Sequence, residues 1–169
     1  SKAFSISSQN PNIIRNIEEI TQYRYKNLSL ITDAYQNPDN QNLNYGNAAW
    51  ENKQYEQAIQ FFTKAAGQVE SNYQAYNNLG LLYLELDKIP NAIFYLKKAV
   101  ALNPKSSYSL NNLGVTYYKM KNYKQADYYF SLAIKNNSNY ISGYNNKAVC
   151  TIDNAFKNIS SSISYLKTI

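Results

Sequence analysis

Residues 75–80 read Ala-Tyr-Asn-Asn-Leu-Gly and residues 109–114 read Ser-Leu-Asn-Asn-Leu-Gly, so the phrase Asn-Asn-Leu-Gly returns after 34 residues. Self-similarity at a fixed interval of this order marks a chain built from stacked copies of one small unit. The register reaches well beyond the phrase. One column holds Gly46, Gly80 and Gly114, with Ala148 next. Others hold Ala58, Ala92 and Ala126, then Phe62, Leu96 and Phe130, then Ala65, Ala99 and Ala133. Within one unit Tyr76, Leu79, Gly80 and Tyr83 stand at i, i+3, i+4 and i+7, which is one face of a helix. Glycine inside a helix costs about 1 kcal/mol relative to alanine. Its return in each unit indicates that packing offsets the cost: a position without a side chain lets a neighbouring helix come close. Ala92, Leu96 and Ala99 give the second helix a small-large-small face. Pro90 falls in that helix's first turn, where its missing N–H is harmless, and Asn103-Pro104 stops it.

The order Tyr76-x2-Leu79-Gly80-x2-Tyr83, then Ala92-x3-Leu96, Ala99 and Pro104, resembles the tetratricopeptide repeat, a helix–turn–helix module. The resemblance implies an all-α, right-handed solenoid over residues 39–169, with units at about 39–72, 73–106, 107–140 and 141–169. The fourth unit departs from the pattern. Lys147 replaces an apolar residue, and the rest fits only with two extra residues in the turn. Ile159 then matches Tyr55, Ile89 and Tyr123, Ser162 matches Ala92, and Leu166 matches Leu96, which predicts a divergent helical pair. Ahead of the repeats, residues 1–9 read as a flexible tail and residues 10–38 as a capping helix. Asn10-Pro11 would start that helix, Ile13, Ile17, Ile20, Leu28, Ile31 and Tyr35 would form its stripe, and Asn37-Pro38 would stop it. A cap on the first repeat is the simpler role for it, and a ligand laid in the chain's own groove is the sharper one.

Composition narrows the function classes. The chain carries 17 lysines and arginines against 11 acids, a net charge of +6, but the lysines are scattered over turns and helices instead of forming a stripe. That argues against a nucleic-acid partner. No apolar run approaches the roughly 20 residues needed to span a bilayer. There is one cysteine, Cys150, so no internal disulfide forms, and this leaves the compartment open between cytoplasm and bacterial envelope. Eighteen tyrosines suit a thin structure with much half-buried surface, because the ring can bury while the hydroxyl stays wet. Catalysis needs a nucleophile, acid–base pair or metal set in one cleft. The chain has no histidine, and Gly46, Gly80 and Gly114 are single and intrahelical, so no Gly-rich phosphate loop is read. Cys150 reads as a packing residue. The expectation is a non-enzymatic chain with no cofactor and no metal.

In the family that the chain resembles, the first helix of each unit lines a concave groove. Carried over residue by residue, the groove positions are Asn44, Asn78, Asn112 and Asn146 in one column and Leu43, Asn77, Asn111 and Asn145 in the column before it. Asn47, Leu81, Val115 and Val149 form a third, and Trp50, Leu84, Tyr118 and Ile152 a fourth; Tyr108 belongs to a further groove column with Asn40, Gln74 and Ser142. An asparagine amide donates and accepts, so a ladder of them can grip an extended peptide backbone with little regard for its side chains. The column resembles the asparagine ladder in the tetratricopeptide superhelix of O-GlcNAc transferase. The other reading of the column is compositional drift on a wet helix face. Trp50, Tyr108 and Tyr118 would serve as aromatic anchors or as ordinary inter-repeat packing. The resemblance also raises the carboxylate clamp of co-chaperones. Asn47 and Asn78 match its asparagines, but Leu43, Tyr108 and Asn112 stand where its cations would be. A bound carboxylate would lack charge-assisted bonds. The expected function is therefore a protein-interaction scaffold that holds an extended or helical segment of a partner protein. The alternative is an assembly factor or envelope lipoprotein that docks, or oligomerises, through its last helix.

Overall fold

The computed structural model describes residues 41–68 and 72–166. The expected capping helix at 10–38 and the tail before it lie outside the described residues. Among those described, seven helices follow one another: α1 (Gln41–Glu51), α2 (Tyr55–Gln68), α3 (Tyr73–Glu85), α4 (Ile89–Leu102), α5 (Ser107–Lys119), α6 (Tyr123–Asn136) and α7 (Ile141–Leu166). α1 packs on α2, α3 on α4 and α5 on α6, with α2 against α3 and α4 against α5 joining the pairs. This is the all-α repeat architecture that the 34-residue register predicts.

The columns explain the pairing. Phe62, Leu96 and Phe130 are fully buried, and each lies against the glycine of its own unit. A Cβ at Gly80 would sit 2.5 Å from Leu96 Cγ, and one at Gly114 would sit 2.6 Å from Phe130 Cε1. Real side chains do not come that close, so the large residue and the glycine form one joint. Burying each large side chain contributes roughly 1.5–3 kcal/mol, which offsets the helix cost of the glycine. The alanines at 58, 92, 126, 65, 99 and 133 are all fully buried beside these joints.

The turns inside each pair use a device that the sequence reading did not anticipate. Lys53, Asp87 and Lys121 adopt left-handed backbone with φ of 59°, 56° and 58°. The next N–H in each case reaches back to the helix, Gln54 to Ala49 O at 2.8 Å, Lys88 to Tyr83 O at 2.8 Å and Asn122 to Tyr117 O at 3.0 Å. That is the bonding of a Schellman turn, made here without glycine. Between pairs, asparagine and serine take over. Asn103 and Asn137 accept from the backbone N–H of Lys105 and Asn139, while Asn72 and Ser106 cap α3 and α5 by accepting from Ala75 and Ser109. Pro90 sits in the first turn of α4, as predicted.

The fourth unit is corrected by the structure. No turn divides it: α7 runs unbroken from Ile141 to Leu166. The left-handed position of the first three units falls on Ala155 here. Alanine is the strongest helix former and disfavours left-handed backbone, so the helix continues. With no second helix folded back, Ala148 in the glycine column is exposed. No helix among the described residues is long and apolar enough to cross a membrane.

Candidate functional site

The asparagine pairs meet across the repeats. Asn78 Nδ2 donates to Asn47 Oδ1, Asn112 Nδ2 to Asn77 Oδ1 and Asn146 Nδ2 to Asn111 Oδ1, each at 2.9 Å. Within α3, Asn77 Nδ2 also donates to Asn78 Oδ1 at 3.3 Å. The doublet is thus a two-handed joint: the second asparagine of a unit reaches back to the preceding first helix, and the first accepts from the next. Unit one has Leu43 where the acceptor should stand, and Asn47, one helical turn later on the same face, takes that role. The amides run through α1, α3, α5 and α7 and are buried, Asn77, Asn78, Asn111 and Asn112 completely. A buried amide without a partner would cost about 1–3 kcal/mol. Among the described residues no buried side-chain nitrogen or oxygen lacks one.

The remaining groove candidates divide by exposure. Leu81 and Leu84 are buried beside the ladder. Asn44, Trp50 and Tyr118 are half-buried, and Tyr108 and Asn145 are exposed. Asn145 is in the acceptor column but receives no rung among the described residues. Trp50 meets Phe62 edge-on at 6.1 Å and donates from Nε1 to Glu85 Oε2 at 2.6 Å. Tyr55 donates its hydroxyl to the other oxygen of Glu85 at 3.0 Å. One carboxylate therefore clasps the first two units. That hydrogen bond, then burial, raises the Tyr55 hydroxyl above its ordinary pKa. Glu85 escaped the sequence reading because nothing in the register marks it: its counterparts are Glu51 and Lys119. Tyr108 lies edge-on to Tyr140 at 5.3 Å, and Tyr118 meets Tyr123 at 5.8 Å. In the fourth unit Lys147 donates to Ser131 Oγ at 2.6 Å and pairs with Asp127 at 3.6 Å, which accounts for its charge at a formerly apolar position. Cys150 is buried, with its Sγ donating to Tyr123 O at 3.5 Å. No group of three or more histidine, cysteine, aspartate or glutamate residues gathers among the described residues.

Comparisons with known proteins agree with the register. Tetratricopeptide repeat family models match residues 42–67, 73–106 and 95–128. No curated protein matches the chain by sequence. Among solved structures, the Sgt2 tetratricopeptide domain from Aspergillus fumigatus is similar with a TM-score of 0.67 at 21% identity, covering 76% of this chain and 87% of that one. The first such domain of Spaghetti (RPAP3), bound to the HSP90 peptide SRMEEVD, is similar with a TM-score of 0.61 at 21% identity, covering 65% and 87%. The second such domain of human RPAP3, in complex with the HSP70 peptide SGPTIEEVD, gives 0.60 at 17%, covering 65% and 92%. Likeness at these identities speaks to the fold.

Proposed function

Because the chain is a tetratricopeptide repeat protein, we propose that it is a non-catalytic adaptor that holds a segment of another protein along the face of α1, α3, α5 and α7. The observation that carries this reading is the set of side chains left accessible on the predicted groove positions. Asn44, Trp50, Tyr108, Tyr118 and Asn145 are amides and aromatics, suited to a peptide backbone and to flat apolar contact. Behind them Asn47, Asn77, Asn78, Asn111, Asn112 and Asn146 act as a fixed floor, joined to one another, with Leu81 and Leu84 beside it. Two of the similar domains carry chaperone peptides ending in Glu-Glu-Val-Asp. This chain has Leu43, Tyr108 and Asn112 at the clamp's cationic positions, so the segment it holds is one that needs no terminal carboxylate grip.

The test is a pull-down from the native organism with wild type beside Tyr118→Ser/Asn145→Ser, the variant's fold checked by circular dichroism. Both residues are accessible, so the substitutions spare the ladder. A partner captured by wild type and lost by the folded variant supports the groove. Undiminished capture by the variant overturns it. A second reading places the contact on α7, where Ile141 and Tyr144 are exposed. There Ile141→Ser/Tyr144→Ser is the variant that loses the partner.

A further inference from the structure

The second helices of the units carry a pattern that the groove does not use. At the same two positions of successive units stand Phe94-Tyr95 and Tyr128-Tyr129, each pair edge-to-face with ring centres 5.1 Å apart. Tyr95 stacks on Tyr83 at 5.3 Å and Tyr129 on Tyr117 at 5.5 Å, the planes within a few degrees of parallel at 4° and 2°. The inner ring of each pair is therefore pinned, while the outer rings, Phe94 and Tyr128, are 53% and 55% exposed. In unit one, Phe61 at the Tyr95 position leans on the exposed Tyr45 at 5.4 Å. Rings held in place before binding lose little rotamer freedom on contact, which lowers the cost of association.

Cations border these rings. Lys98 Nζ lies 4.6 Å from the Phe94 ring and 5.3 Å from Tyr76, and Lys64 Nζ lies 5.7 Å from Phe61. Lys64, Lys97 and Lys98 are exposed and make no ion pair among the described residues. α4 contains no acidic residue at all. The nearest acids in the flanking second helices are Glu56 at the start of α2 and Asp127 in α6, the latter engaged by Lys147. Exposed aromatic surface with unmatched positive charge fits an apolar segment that brings its own carboxylates.

We propose that the outer face of α2, α4 and α6 docks an acidic segment of another protein, with its carboxylates on Lys64, Lys97 and Lys98 and its apolar side chains on Phe94 and Tyr128. This surface is separate from the groove and does not depend on that reading. A nucleic-acid strand fits it less well, because the described residues contain no arginine to grip phosphate in bidentate fashion and Asp127 stands among the rings of α6.

The experiment uses the full chain and fluorescently labelled synthetic peptides, read by anisotropy. One peptide alternates glutamate with phenylalanine, a second carries lysine for every glutamate, and an oligo(dT) strand serves as the third probe. The expected result is binding of the acidic peptide alone, weakened by salt. Affinity should fall about tenfold or more in Phe94→Ser/Tyr128→Ser and in Lys97→Glu/Lys98→Glu. Tyr118→Ser/Asn145→Ser should bind as wild type does. Circular dichroism melts confirm each fold, and Lys98→Met replaces the charge-reversal pair if that pair unfolds. No binding of the acidic peptide, equal binding by the ridge variants, loss in the groove variant, or tighter binding of oligo(dT) would each overturn the proposal.

Discussion

Replacing Asn112 by alanine removes the bond that crosses from α5 to Asn77 in α3, in a place where both amides are fully buried. The expected loss of stability is about 1–3 kcal/mol, from a buried hydrogen bond and the desolvated group left behind. Asn145 occupies the equivalent of Asn111 but is exposed, so Asn145→Ala should shift stability by less than about 0.5 kcal/mol. Urea denaturation of both variants separates the two positions, and equal losses would refute the ladder as a stabilising element. The identity of the asparagines was legible in the sequence as a column; their burial was not. Asparagine suits both a wet helix face and a buried amide pair, and only the distance between neighbouring repeats chooses between them. The same column shows why Asn78→Ala or Asn112→Ala is a poor probe of binding. Either would loosen a joint before any partner arrives.

At the scale of the helices, the stacked tyrosines couple packing to pH. Burial first, then repulsion from the neighbouring ring of Tyr83 or Tyr117, holds the hydroxyls of Tyr95 and Tyr129 above tyrosine's ordinary value of about 10. The fold therefore favours their protonated form. Their contribution is complete below about pH 10 and is lost as pH rises through the folded-state values. The melting temperature should fall above pH 10, and it should fall less in Tyr95→Phe/Tyr129→Phe, which keeps the rings and deletes the ionisable group. Melts at pH 8 and about pH 11 would decide it; parallel losses in the two proteins would show that other groups govern the alkaline limit. Helices were the most legible part of the chain, since spacing, glycine and proline all agree over 73–106. The unbroken α7 is not legible in the register, because Ile159, Ser162 and Leu166 match the second-helix columns while the deciding residue is Ala155 at the left-handed turn position. Local backbone preference settled the matter there.

For the molecule as a whole, stability in a repeat array is close to a sum of unit terms and neighbour terms. α3 and α5 carry rungs on both sides, to α1 and α5 in one case and to α3 and α7 in the other. Their amides should therefore exchange with solvent more slowly than those of α1, in steps that open at a lower free energy than global unfolding. Native-state hydrogen exchange followed by mass spectrometry measures this, and uniform protection from α1 to α5 would contradict it. The direction of the rungs has a consequence for how such a chain can grow. Units two and three each hold both halves of a joint, an acceptor at Asn77 or Asn111 and a donor at Asn78 or Asn112. A duplicate of either, spliced between them, would meet a matching half on each side with no further substitution. Unit one, with Leu43 in the acceptor column, accepts its rung at Asn47, one helical turn later. The gene can therefore lengthen from its middle by copying.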